Sequence, residues 1–289
     1  MRRFILTIFA LATLLPSLAQ AYDVLILQSR RDPAYEEVVK GFSAKNNASK
    51  RLLVMSDYSE VDVVRIVRED RPRVVLAVGD IALTAARKVQ QTPVVSIMAL
   101  GIHNRKVSQS NLSGVGMFAP PERYMSMFKT MKTRRVGVVY NEAKSGWYLT
   151  LAHQAAKDAG IELVTREVSI PRDTIDKVSS LAGKVDALWM LPDSIAVTRE
   201  TTEAYLFFGQ QQAVPVVAFA ANYLGVGAAA ILELDRIAIG SQADAMISKL
   251  LNSESSENSE NSQLRFPKGS IIKTNPSVLS RLGLKELAD

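Results

Sequence analysis

A chain of 289 residues with 47% apolar and 22% charged side chains is long enough for one large or two medium domains with full cores. Its formal charge of +6 comes from 35 basic and 29 acidic residues of interspersed sign, as in "TREVSIPRDTIDK" at 165–177, so no basic face of the kind nucleic acid needs is built. Cysteine is absent, which excludes disulfides, thiol nucleophiles and thiolate metal sites and leaves stability to core packing.

The first 21 residues stand apart. Arg2 and Arg3 precede the apolar "FILTIFALATLL", followed by Pro16 and the small-residue pattern Ala19-Gln20-Ala21. A charged start, a short apolar stretch and an A-x-A site read as a secretory signal peptide at 1–21, cleaved after Ala21. The alternative, a membrane anchor, needs about 20 apolar residues to cross a bilayer, more than this stretch supplies. No cysteine follows the cleavage site, so there is no lipid attachment point, and the periplasm of a double-membraned bacterium is the expected location.

From there short Val/Ile/Leu runs alternate with amphipathic segments. "DVLILQ" (23–28) leads to a helical stretch at 34–46, "RLLVMS" (51–56) to 60–69, and "RVVLAVG" (73–79) to 80–90; "PVVSIMA" ends at Ala99. These runs are continuously apolar, the pattern of parallel strands buried on both faces, and the alternation with helices predicts an α/β chain. The loop "LGIHNRKVSQSN" interrupts the series, and after "LSGVGMF" it restarts with a helix at 121–131. "RRVGVVY" (134–140), a helix at 145–159, "IELVTREV" (161–168), a helix at 172–182, "DALWMLP" (186–192), a helix at 195–212 and "VPVVAFA" (214–220) follow. Two similar halves of about four strands each suit two cores better than one large sheet. "AAAILELD" (228–235) and a helix at 236–251 precede "NSESSENSENSQ", too polar to pack and read as a solvated loop. "SIIKTN" and "PSVLSRLGLKEL" then supply a late strand and helix, assigned to the first half's sheet, which makes the chain cross between domains more than once.

Catalytic signatures are missing. There is no G-x-S-x-G, and the two histidines, His103 in a loop and His153 within a helix, read as surface or structural residues. No H-E-x-x-H is present to hold a metal. "GVGAAA" at 225–230 approaches the dinucleotide fingerprint but precedes a strand instead of joining one to a helix. The strand ends carry more information, because doubly wound sheets bind ligands outside the carboxyl ends of their strands. Those ends are Ser29-Arg30-Arg31, Gly79-Asp80, Met98-Ala99, Asn141 to Gly146, Asp193-Ser194 and Ala221-Asn222. Each alone reads as a cap or turn; together they line a small-molecule cleft. In "YNEAKSGWY", Asn141 and Ser145 offer side-chain hydrogen bonds, Gly146 admits a close approach, and Trp147, Leu151 and Ala155 form a core-facing stripe.

At "VGVVYNEAKSGWY", "VDALWMLPDSIAV" and "IIKTNPSVLSRLGL", with "DRPRVVLAVGDIALTAAR" and "TPVVSI" before them, the sequence resembles the substrate-binding proteins of ABC transporters in the periplasmic type I class, specifically the tryptophan/tyrosine-binding-like family. The resemblance covers essentially the whole mature chain. It implies two Rossmann-like lobes with parallel sheets joined by a three-segment hinge, lobe one being 22–115 plus 235–289 and lobe two 116–234. It also implies a ligand enclosed between the lobes by Gly79, Asp80, Met98, Ala99, Asn141, Ser145, Gly146, Asp193 and Ser194, to which the strand ends add Ser29, Arg30 and Asn222 as ligand-binding candidates; no catalytic residue, metal or cofactor is expected. The implied partners are a small polar or amino-acid-like solute and an ABC permease in the inner membrane, the binding protein itself being a monomer. Two segments depart from the family pattern: "IMALGIHNRK" stands where an Asp-Pro usually follows the fourth strand, and "AANYL" replaces a small polar pair before the hinge. A sensory or partner-presenting role with a degenerate pocket is the alternative to transport.

Overall fold

In the computed structural model, which describes residues 22–103, 109–252, 264–285 and 287, the Val/Ile/Leu runs become strands, buried on both faces inside the sheets but partly exposed at 50–54 and 162–167, which lie on sheet edges. The expected signal peptide at 1–21 and most of the Ser/Glu/Asn run lie outside the described residues. Strand β1 (Val24–Gln28) turns Leu25 and Leu27 to one core and Val24 and Ile26 to the other. It pairs in parallel with β2 (Lys50–Val54) and β3 (Val74–Val78), and β4 (Val94–Ile97) and β5 (Leu112–Val115) extend the sheet beyond β3. Helices α1 (Pro33–Ser43), α2 (Val63–Asp70) and α3 (Asp80–Ala86) make the crossovers, the first two capped by Asp32 and Asp62.

The second sheet repeats the plan. Strands β6 (Arg135–Tyr140), β7 (Glu162–Glu167), β8 (Ala187–Trp189), β9 (Val216–Ala218) and β10 (Ala230–Leu234) are parallel, in the order β10-β9-β8-β6-β7. Helices α4 (Pro121–Thr130), α5 (Trp147–Ala159), α6 (Thr174–Ser179), α7 (Arg199–Gln211) and the short α8 (Asn222–Gly225) go with it. Each sheet has six strands among the described residues, against about four expected, because β5 and β10 each extend their sheet by one and a strand from the far end of the chain is added to each. The two-residue β11 (Leu264–Arg265) extends the first sheet beside β5, and β12 (Ser270–Thr274) extends the second beside β10.

The position of β12 corrects the expected assignment of the late strand and helix, and with them of 270–282, to the first lobe. β12 runs antiparallel to β10 over five residues, from Ala230↔Thr274 to Leu234↔Ser270. The helix after it, α10 (Pro276–Arg281), is bound to the same lobe by Asn275, whose side-chain amide donates to the Leu224 carbonyl oxygen (2.9 Å), and by Val278 and Leu279 against Ala229. The physical reason is edge supply: β11 already lies on the outer edge of β5, whereas β10 offers a free row of backbone groups four residues further along the chain.

The chain therefore crosses between the sheets three times. The first crossing, 116–120, is held by the Tyr148 hydroxyl donating to the Ala119 carbonyl oxygen (2.8 Å). The second turns on Asp235, whose N–H donates to Gly269 O (3.0 Å) and whose Oδ1 accepts from the Ala238 N–H (2.9 Å) at the start of α9 (Arg236–Asn252). In the third, 266–269, Gln242 on α9 donates to Phe266 O (3.2 Å) and accepts from the Lys268 N–H (2.8 Å). α9 returns to the first lobe, where Ile239, Ala243, Met246 and Ile247 cover the core of β1, β3 and β4. Among the described residues no helix is long and apolar enough to cross a membrane.

α1 and α9 meet backbone to backbone. A Cβ on Gly41 would come within 2.5 Å of Ile237 O, and one on Gly240 within 2.2 Å of Val38 O. Gly240→Val should force the helices apart and lower stability by about 2–3 kcal/mol, read as a reduced denaturant midpoint; an unchanged midpoint would show that the contact is not this close.

Candidate functional site

The carboxyl ends of the strands face a cleft between the lobes. A cavity of about 290 Å3 there is lined by Asp80, Leu100 and Gly101 from the first lobe and by Ala143, Lys144, Pro192 and Ser194 from the second. It holds one carboxylate and one ammonium from opposite lobes, a hydroxyl, and the apolar surface of Leu100, Ala143 and Pro192. A larger groove of about 520 Å3 between α7 and α10 draws its lining from the second lobe alone.

On the first lobe's side the strand ends are fastened to one another. Ser29 is buried, and its hydroxyl donates to Val78 O (2.9 Å) and accepts from the Ala82 N–H (3.0 Å), joining the end of β1 to the first turn of α3. Gly79 takes φ +90°, and a Cβ there would lie 2.6 Å from both Ser29 Oγ and Tyr35 Oη, so only glycine fits. Asp80 faces the cavity while its carboxylate accepts from the N–H groups of Leu100 (3.2 Å) and Gly101 (2.7 Å), drawing the 3-10 turn Leu100–His103 against α3. Arg30 is exposed, paired with Asp32 (2.7 Å) and set 5.3 Å over the Tyr35 ring. Burial pushes the Tyr35 phenol above its ordinary pKa, the Arg30 guanidinium opposing it, so Tyr35 remains a neutral hydroxyl at physiological pH. Met98 holds a left-handed backbone (φ +57°), a strained state for a residue with a side chain, and Ala99 is packed in the core.

On the second lobe's side one carboxylate organises the rim. Asp193 is 2% exposed; its Oδ2 accepts from the Asn141 N–H (2.8 Å) and the Ser145 hydroxyl, and its Oδ1 from the N–H groups of Ile195 (2.8 Å) and Ala196 (2.9 Å). Four donors stabilise a charge that would be costly to bury unpaired. The Asn141 side-chain amide in turn donates to Val168 O (2.7 Å). Between Asn141 and α5 the chain makes a wide π-turn, Glu142–Gly146, which leaves Ala143 and Lys144 exposed on the cavity and puts Gly146 where a Cβ would lie 2.4 Å from the Glu142 carboxyl carbon. The expected helix start at Ser145 therefore falls inside this turn.

Of the twelve expected site residues, the cavity brings together Asp80 and Ser194. Ser29, Ser145 and Asp193 lie behind it with their polar groups engaged, and Asn222 is exposed at the first position of α8 and is not part of the lining. Leu100, Gly101, Ala143, Lys144 and Pro192 are additions to the expected set; each lies one or two positions from a member of it, on a turn whose depth only the fold sets. The stripe of Trp147, Leu151 and Ala155 holds at Trp147 and Ala155, which pack on the core, and is corrected at Leu151. The buried face of α5 runs through Tyr148, Leu149, Ala152, Ala155 and Ala156, to one side of Leu151, which is 44% exposed. Trp147 also stacks on His103 of the first lobe, ring centroids 3.8 Å apart and planes 21° from parallel.

A family model described as ABC transporter substrate binding protein matches residues 24–285. The chain belongs to that family. Among curated relatives, a tyrosine-binding protein of Clostridioides difficile (strain R20291) is 25% identical over 149 residues, 50% of this chain and 43% of that protein, so the match spans less than half of the relative's length. Among solved structures, the ligand-free, open form of a substrate binding protein with adhesive properties from Clostridium difficile aligns with a TM-score of 0.69 at 18% identity, covering 93% of this chain and 97% of that one. A conserved domain protein from Vibrio cholerae aligns with a TM-score of 0.61 at 21% identity, covering 92% and 95%. A domain from Streptococcus pneumonia in complex with L-Trp gives 0.59 at 17%, covering 90% and 94%. The fold is that of the type I periplasmic binding proteins, two lobes of mainly parallel sheet about a three-segment hinge.

Asp193→Ala should leave four donors without their acceptor and lower stability by roughly 3 kcal/mol in chemical denaturation. Ser145→Ala, which removes one donor of four, should cost about 1–2 kcal/mol. If the two variants unfold at the same midpoint, the carboxylate is not the organising group.

Proposed function

We propose that this family member is the solute-capturing component of an ABC-type uptake system in the periplasm, and that its solute is a compact, amino-acid-like zwitterion. The observation that carries the reading is the cavity shared by both lobes, with Asp80 on one wall and Lys144 on the other. A zwitterion presents an ammonium and a carboxylate, and opposite charges on opposite lobes are the arrangement that one such molecule bridges. The Asp80 carboxylate, with two backbone N–H groups already on it, has lone pairs left for the ammonium; Lys144 takes the carboxylate, and the Ser194 hydroxyl supplies a further hydrogen bond. Bending at the three crossings would bring the lobes together, exclude water and strengthen both ionic contacts as the local dielectric falls. The names of a tyrosine-binding relative and of an L-Trp complex support the amino-acid class. The arginine-led apolar segment at 1–21 supports export, and the absence of cysteine supports release without a lipid anchor. An inner-membrane permease is the partner that receives the solute from a monomeric binding protein.

Purified mature protein titrated with the common L-amino acids, tyrosine and tryptophan included, should show a rise in Tm at millimolar ligand for at least one of them. No rise with any would overturn the reading. Lys144→Ala should weaken that ligand by at least about tenfold without lowering the Tm of the free protein, because Lys144 is exposed and lends nothing to the fold. Intact-mass measurement of the exported protein should place its first residue at Tyr22.

A further inference from the structure

Two turns carry most of the cavity. In the first lobe the turn Leu100–His103 supplies Leu100 and Gly101, and Asp80 and Arg87 hold it against the helix beside it, Arg87 donating to Gly101 O (3.1 Å). In the second lobe the turn Glu142–Gly146 supplies Ala143 and Lys144 and runs directly into Trp147. The last residue of the first turn and the residue following the second are the ones that stack on each other, His103 on Trp147 at 3.8 Å. The hinge closes around that stack. Phe118, from the first crossing, stands edge-on to both rings, 6.1 Å from His103 and 5.1 Å from Trp147, and Phe266, from the third, lies 6.4 Å from Trp147. Gly116 makes room, since a Cβ there would lie 2.3 Å from His103 Nε2.

We propose that the His103–Trp147 stack is the pivot of the cleft, a positioning pair that holds the two cavity-bearing turns in register while the lobes open and close; the role assigned to the turns rests on the cavity being the solute site. Parallel rings slide and rotate over one another at little cost but lose dispersion and electrostatic contact when pulled apart. A contact of that kind next to the crossings allows bending and resists separation. It also occupies one face of Trp147, which withdraws that face from the solute.

The test uses the mature chain and three variants: His103→Ala removes one ring, Trp147→Leu keeps an apolar side chain without a ring, and Trp147→Phe keeps a ring to stack on. In the free protein, hydrogen exchange at 100–103 and 142–147 should accelerate in His103→Ala and Trp147→Leu, stay near wild type in Trp147→Phe, and remain unchanged in β1 and β6 of all three. With L-tyrosine and L-tryptophan as probes, whichever binds the wild type should bind His103→Ala about two- to tenfold more weakly, the fold-change that the worth of an aromatic pair implies, and Trp147→Phe near wild type. Unchanged exchange at both turns in His103→Ala overturns the pivot, and unchanged affinity in that variant overturns its positioning role. Accelerated exchange in a protein that binds no amino acid at all leaves the pivot standing and removes the solute reading beneath it.

Discussion

Backbone groups at the end of a buried parallel strand must find partners, and in each lobe one aspartate at a strand end supplies them. β3 and β8 hold the same place in their sheets, each beside the first strand of its lobe, at the point where the strand order reverses. Asp80 follows β3 and gathers the N–H groups of Leu100 and Gly101. Asp193, a few residues past β8, gathers Asn141, Ser145, Ile195 and Ala196. The difference between them is depth. Asp193 is sealed in and serves the fold, whereas Asp80 stays at the surface of the cleft and keeps acceptor capacity for something else. The cavity walls, the two turns and the ring stack behind them all depend on these two attachments.

This also explains how far the site could be read from residues alone. The strand ends were legible, because continuous apolar runs that stop at small or polar residues leave few alternatives, and the expected runs fall on strands. Which way each polar group would face was not. Ser29, Ser145 and Asp193 have the residue types a ligand site uses, but a side chain that can bind a solute can equally satisfy a neighbouring loop, and burial decides between the two. Lys144 carries the opposite charge needed across the cleft, yet its exposure on the cavity comes from a π-turn that no local residue pattern announces. His103 and Trp147 are separated by forty-odd residues and belong to different lobes, so their stack is a product of the hinge.

The C-terminal segment shows a different limit. "SIIKTN" was legible as a strand, and a late return across the hinge was legible too. The sheet it joins depends on which edge is free, and that depends on the two residues of β11, too short to register as a strand in the sequence. With β11 placed on the first sheet, β12 reaches the second within a four-residue crossing and turns antiparallel.

The interleaving has a consequence for the order of events during synthesis. One core face of the first lobe, begun by Val38 and Phe42 of α1, is completed only when Ile239, Ala243, Met246 and Ile247 of α9 exist, by which point most of the second lobe has been made. The second sheet in turn waits for 270–274 to complete its edge. Neither lobe has its full set of core and edge partners until these late segments exist, so both folds are completed only as the last part of the chain is made. The two lobes are thus finished together and late, although most of each precedes its final segment, and this follows from connectivity alone.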